Sequence, residues 1–436
     1  MAKMRRRYSA RTYSQTANFV LIFMSLVLTT SASALASDTL TVLSSFNGEA
    51  GYGGSGYSPM GDLVFDSAGN LYGTTSEGAF EGPNCTYNCG TVFELSPSDG
   101  GWTYQVIHFF SGGVDGGEPH SRLTLDSQGN LYGTANIGGT VNEYCPIGCG
   151  TVFELSPSGG DWTLTVLHSF DGTDGSVPGG GLTLDGAGNL YGTTSSTVFE
   201  LSPSGEGWKL STLYAFPVSG IEGEFPAGYL VLDGAGNLYG AAQQGGSFKP
   251  GCGGCGTVFE LSPSEGGWTF SLLHTFQGIK PGAKLGDGIY PWGALAIDSE
   301  GNVYGATFEG GGECSGGTVF KVSQSAGKWR EQIVHRFGCT NTDGVGPLGG
   351  VILDRAGNLY GTTLDGGTDS CGTVFKLTPN RKGSGWKFTS LSSFTDGTDG
   401  GLPYAGVVVD AAGNLYGTTT FWGPQFEGTL FELSPP

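Results

Sequence analysis

The chain has 436 residues, with 19 Lys and Arg against 39 Asp and Glu, a net charge of -20 and 82 glycines. So acidic a surface repels phosphate backbones, which excludes nucleic acid and an anionic membrane as partners. Glycine at this level suggests low complexity, but here the glycines fall at fixed places inside repeats and read as turns.

The N-terminus carries Lys3, Arg5, Arg6, Arg7 and Arg11, then an apolar core from Val20 to Leu28, then the small-residue site Ala34-Leu35-Ala36. These are the parts of a secretory signal peptide, so residues 1–36 are expected to be removed and residues 37–436 to form the mature domain. The apolar run is too short for a permanent anchor and no later stretch approaches the ~20 residues a span needs. The expected product is secreted, extracellular or periplasmic, with no membrane span. No cysteine lies at the cleavage site and only Glu-Leu-Ser-Pro-Pro follows Phe431, so neither a lipid nor a C-terminal anchor is expected.

From Leu63 onward the chain writes Asp-x-x-Gly-Asn-Leu-Tyr-Gly seven times, starting at Asp66, Asp126, Asp185, Asp233, Asp298, Asp354 and Asp410, with Val303 replacing one Leu. The intervals are 60, 59, 48, 65, 56 and 56 residues, a spacing that signals a propeller or solenoid. Each copy reads as a hairpin. An apolar run such as Leu63-Val64-Phe65 (strand A) ends in Asp, and Gly-Asn turns the chain into the Leu-Tyr run (strand B). The Asp carboxylate is expected to bond backbone N–H groups one or two residues on. Calcium held by these carboxylates is the alternative reading.

Strand C follows as Gly-Thr-Val-Phe-Glu-Leu, for example Gly90 to Leu95, closed by a Ser-Pro-Ser turn. Strand D runs from Trp to Phe, as in Trp102 to Phe110. Four short strands joined by Gly, Pro and Ser turns make one antiparallel blade. After the last strand C the chain has no further strand D, but residues 40–46, Leu-Thr-Val-Leu-Ser-Ser-Phe, match Leu164 to Phe170 of a strand D almost residue for residue. The sequence therefore predicts an all-β, seven-bladed propeller of four-stranded antiparallel blades, closed by the N-terminal strand pairing residues 39–46 with residues 428–433.

The B-to-C connections vary from three residues (Thr193 to Ser195) to sixteen, whereas the A-to-B and C-to-D turns are short and uniform. Variable loops on a constant scaffold are where binding usually sits. The D-to-A loops on the same face carry an acid, Gly, two variable residues and Pro. The acids are Asp115, Asp174, Glu222, Asp287, Asp343 and Asp399, with Ser55 in the remaining copy, each eleven residues before its hairpin Asp. An Asp-Gly turn explains them locally; the sharper expectation is a ring of carboxylates at the pore mouth that binds sugar hydroxyls or a cation such as calcium. Trp292 and Trp422, outside the strand D pattern, and Tyr290 and Tyr404 lie in loops of this face and complete the expected ligand set.

Cys85/Cys89, Cys145/Cys149 and Cys252/Cys255 precede strand C and read as disulfides in an exported chain. Zinc is the rival reading. Nine cysteines is an odd number, so Cys339 pairing with Cys314 or Cys371 would leave one thiol. His108, His168, His274 and His335 share one strand D position and read as framework; His120 is the loop histidine. No Gly-x-Ser-x-Gly or His-Glu-x-x-His pattern supports catalysis, no catalytic residue is assigned and no cofactor is required. The reading is a monomeric binding module for polysaccharide, cell-envelope material or an extracellular protein. A sugar hydrolase or lyase using paired loop carboxylates is the alternative.

Together the GNLYG hairpin, the GTVFEL strand and the acid-Gly-x-x-Pro loop resemble the repeat of the choice-of-anchor tandem repeat GloVer-containing proteins. That resemblance implies an exported propeller. More loosely, the Asp-x-x-Gly-Asn hairpin is similar to NHL-type and gluconolactonase-like propellers. The lactonases hold a metal with pore-lining Glu, Asn and Asp at distinct positions, and the uniform repeats here suggest no such asymmetric set.

Overall fold

The computed structural model describes residues 38–47, 54–78, 85, 89–205, 207–246, 252–279, 284–338, 342–380 and 385–435. The signal-peptide segment and Cys339 lie outside them. Seven four-stranded antiparallel sheets form a seven-bladed propeller, each running A-B-C-D from the axis outward. The first blade is Val64–Phe65, Leu71–Thr75, Thr91–Ser98 and Gly101–Phe109.

The hairpin Asp organises each A-to-B turn. Asp66 Oδ1 accepts the backbone N–H groups of Ala68 at 2.8 Å and Asn70 at 2.9 Å, and its Oδ2 accepts the Asn70 amide at 2.8 Å. The bonded N–H groups are thus two and four residues on, a wider loop than the sequence suggested. The Tyr hydroxyl of strand B closes the network on the same oxygen, at 3.0–3.3 Å in all seven hairpins. That Tyr then meets the strand D Trp of the next blade, as in Tyr72 with Trp162 at 5.8 Å between ring centroids and Tyr416 with Trp102 at 6.0 Å. One motif therefore shapes a turn and joins two blades.

The core lies between blades. The Phe that ends strand D sits edge-on to the strand C Phe of the next blade, from Phe110 on Phe153 at 5.2 Å to Phe394 on Phe431 at 5.2 Å. Gly73 of the hairpin motif lies against the tip of the Phe93 ring, 2.5 Å from where a Cβ would stand, so any side chain there would displace the core. Strand C continues through Ser-Pro-Ser, with the turn after it rather than within it. Strand B pairs only as far as Leu95, so Pro97 lies beyond it where no ladder donor is needed.

The propeller closes as the strand count required. Thr39–Ser45 pairs antiparallel with Thr429–Ser434, with Val42 opposite Phe431. Its register shifts between Val42 and Ser44, the bulge that strand D makes opposite Val92/Phe93 and its equivalents in the other blades. Phe46 is fully buried against Phe93 of the first blade, 5.6 Å between ring centroids.

Candidate ligand-binding site

The carboxylates expected at the pore mouth point the other way. Asp115, Asp174, Asp287 and Asp399 each accept the backbone N–H of the residue just after the terminal Phe of strand D, at 2.9, 3.0, 2.9 and 3.1 Å. Ser55 does the same with its hydroxyl for Asn47 N–H at 2.8 Å. The strand D side chain completes the contact. Nε2 of His108, His168, His274 and His335 lies 3.5, 2.7, 3.4 and 3.2 Å from Asp115, Asp174, Asp287 and Asp343, and the Tyr214 hydroxyl donates to Glu222. Strand D is outermost, so these acids fasten the perimeter of the blades. Constant spacing to strand A resembled proximity to the axis, but the acids fold back on strand D, four of them to satisfy an N–H that its end leaves open. Burial pushes the Asp115 carboxyl up, yet hydrogen bonds from His108 and Ser111 outweigh it and hold it below the ordinary value.

One perimeter cluster is strained electrically. Burial pushes Glu331 up to about 7, with Asp287 adding to the shift against His274 and Arg336, and its Oε1 is buried without a partner. A carboxyl raised in the folded state contributes stability below its unfolded value of 4.5 that is lost as pH rises through 7. Glu331→Gln is therefore expected to leave stability nearly unchanged at pH 4 and to raise it by about 1 kcal/mol at pH 8, allowing for its partial solvent screening. Chemical denaturation at the two pH values checks this.

The residue before the loop Pro adopts a left-handed backbone. In all seven copies the residue before it, Tyr290 and Leu402 among them, has φ between 50° and 68°. Its N–H is spent on the neighbouring B-to-C loop: Glu118, Val177, Tyr290 and Leu402 donate to the carbonyls of Cys89, Cys149, Cys255 and Cys371 at 2.8–2.9 Å. The first three acceptors belong to the disulfides Cys85–Cys89, Cys145–Cys149 and Cys252–Cys255. Cys314 is also disulfide-bonded, and among the described residues Cys371 is the free, buried thiol. Trp422 packs in the same cluster as Cys371, its ring 2.7 Å from where a Cβ on Gly401 would stand. It covers a loop and is not among the residues lining the axial cavity, and neither is Tyr290.

The axis itself is built from the residues just before strand A. Five residues before each hairpin Asp stands a Gly, Ser or Ala, because neighbouring blades meet there backbone to backbone. A Cβ on Gly61 would come within 2.5 Å of the Ser121 carbonyl, which also accepts the Thr74 hydroxyl at 3.1 Å. The residues six before include His120, Trp292 and Tyr404; those four before include Asp62, Arg122 and Tyr229, against Gly or Ala in the other blades. All six of these larger residues line one cavity of about 80 Å³. Trp292 is 42 % exposed.

Four blades meet in its floor. Asp62 accepts the Gly406 N–H at 2.6 Å and the Tyr229 hydroxyl at 3.1 Å. The Arg122 guanidinium lies over the Tyr229 ring, 4.8 Å from its centroid. Burial raises Asp62 despite the opposing charge of Arg122. For Arg122 burial works against the charge, but Tyr229 and Asp62 outweigh it and hold the guanidinium protonated. Burial lowers His120 to about 4, so it is neutral at physiological pH, with Nδ1 2.7 Å from the Asn136 amide. Beyond the floor a channel of about 570 Å³ runs between strands A, lined by Leu125, Leu184, Val231 and Ile297, with Arg122 and Tyr229 bordering both spaces.

Of the predicted ligand residues the structure thus brings Trp292 and Tyr404 together at the axis and leaves the acids and Trp422 in the loops around it; Tyr290 and Trp292, expected in a loop, lie in the strand Ile289–Ile297, longer than strand A of the first blade. Asp62, Arg122 and Tyr229 went unread because the repeats looked uniform; aligning the seven copies shows the column four before Asp as the exception. This asymmetric set differs from the Glu, Asn and Asp of the lactonases. Among the described residues no group of three or more His, Cys, Asp and Glu is placed to hold a metal.

In structure the chain is similar to virginiamycin B lyase from Staphylococcus aureus, with 11% identity, 92% of this chain and 100% of that one covered, and a TM-score of 0.55. It is also similar to a gluconolactonase from Xanthomonas campestris, with 15% identity over 66% of this chain and 79% of that one and a TM-score of 0.38. At such identities the likeness to the lyase shows the fold alone. No curated protein matches the chain in sequence. The Gloeobacter/Verrucomicrobia repeat pattern matches residues 29–197 and 250–436, well over half the length, and the chain belongs to that repeat family.

Proposed function

We propose that the chain is an exported binding module that takes a saccharide unit of polysaccharide or cell-envelope material in the axial cavity. One observation carries this reading: at the axis, sevenfold uniformity gives way to a carboxyl, a guanidinium, a phenol and an imidazole beside two aromatic rings. Ring faces stack on the apolar C–H patches of a sugar while convergent polar groups take its hydroxyls. The perimeter acids serve the site indirectly, by fixing the segments that lead to Trp292 and Tyr404. Three loop disulfides support an oxidising compartment, and among the described residues no helix is long and apolar enough to cross a membrane.

A glycan array run beside a reducing-sugar assay tests the reading. Binding without sugar release is expected; release would transfer the site to the hydrolase or lyase class, and no binding would reject it. Trp292→Ala should weaken binding about tenfold, ~1.4 kcal/mol, with an unchanged melting temperature. Trp422→Ala should leave affinity intact while speeding the labelling of Cys371 by a thiol reagent, because its ring covers that sulfur's cluster.

A further inference from the structure

The floor of the axial cavity holds a donor that the fold does not use. Arg122 Nε is buried with no hydrogen-bond partner. The ion pairs among the described residues are His–Asp pairs of the perimeter, and Arg122 is in none of them. The nearest carboxylate is already engaged: Asp62 spends Oδ1 on Gly406 and Oδ2 on Tyr229. The guanidinium lies over the Tyr229 ring and has that side chain as a hydrogen-bond partner, which still leaves Nε unpaired.

We propose that Arg122 receives the carboxylate of a uronic acid, so that the saccharide unit recognised at the axis is an acidic one. A guanidinium presents Nε and a terminal nitrogen as a planar fork, and a carboxylate matches that fork with two parallel hydrogen bonds. A neutral hydroxyl would meet one donor and leave the charge uncompensated. Trp292 and Tyr404 stand at the same cavity, where a ring face can take the pyranose. The chain's net charge of -20 opposes a polyuronate laid across the face, which favours a single terminal unit as ligand. The inference rests on the saccharide reading above and adds the ligand's charge to it.

The test titrates the full chain, following Trp fluorescence and calorimetry, with methyl glucuronoside, methyl galacturonoside, methyl glucoside, the methyl ester of the glucuronoside, and acetate. At least one uronoside is expected to bind tenfold or more tightly than the glucoside and the ester, with acetate weak. Arg122→Gln should bring uronoside and glucoside to equal affinity, and Arg122→Lys should retain part of the preference. Should Arg122→Gln fail to fold, the ester and glucoside comparison on the unaltered chain decides alone. Equal binding of acidic and neutral sugars overturns the assignment to Arg122 but leaves the saccharide site standing. Acetate binding as tightly as the uronosides overturns the sugar part, and silence toward every sugar removes both readings together.

Discussion

Deleting residues 38–46 is expected to lower the melting temperature by roughly 10 °C or more and to make the chain aggregate. The segment supplies the outermost strand of the last blade, pairing Thr39–Ser45 with Thr429–Ser434. It also supplies Phe46, fully buried against Phe93 of the first blade, so one peptide closes a sheet and fills an interface. Losing a buried Phe alone costs about 3–5 kcal/mol. The exposed edge of the last strand C then offers unpaired N–H and C=O groups to another copy. Differential scanning calorimetry with light scattering measures both effects. Phe46→Ala separates them, since it should lower stability by about 3–5 kcal/mol without association. A deletion variant that melts like the full chain would mean the ring does not depend on its closing strand.

Asp62→Ala is expected to cost about 3 kcal/mol, the second largest effect of a single position. Its carboxyl joins the first blade to the seventh through Gly406 and to the fourth through Tyr229, and truncation leaves both donors unpaired beside the Arg122 charge. Asp62→Asn keeps an acceptor oxygen and should cost about 1 kcal/mol. The sign of the pH dependence discriminates further. Burial raises the folded Asp62 above its ordinary 3.8, so its contribution is complete below 3.8 and falls as pH rises through the folded value. The stability deficit of Asp62→Asn should therefore be largest in acid and shrink toward neutrality. Urea titrations between pH 3 and 8 check this, and a deficit that grows with pH would show that Asp62 is held ionised by Arg122.

The blade strands were legible because their determinants are local. An Asp that accepts its own loop's N–H groups, a Gly under a Phe ring and a Trp that covers the next Tyr recur at fixed spacing, and each repeat solves the same packing problem. The closing strand was legible for the same reason: it is a strand D displaced to the front, down to its bulge at Leu43. The loop acids show where local reasoning fails. Spacing fixed their backbone positions, but the direction of four of the side chains follows from a free N–H at the end of strand D that only the folded blade reveals. Strand boundaries slipped at Ser-Pro-Ser likewise, since whether Pro97 breaks a ladder depends on how far strand B reaches.

By itself the sequence determined a ring of seven alike blades, its closure and the cysteine pairs, because each depends on residues that are near in the chain or copied along it. Only the tertiary structure decided the site. Asp62, Arg122 and Tyr229 stand in three different repeats, far apart in sequence and individually unremarkable before an apolar run. Circular symmetry carries the same position of every repeat to one axis, so the few that are not Gly or Ala are forced into contact there, where burial turns them into a chemically distinct floor.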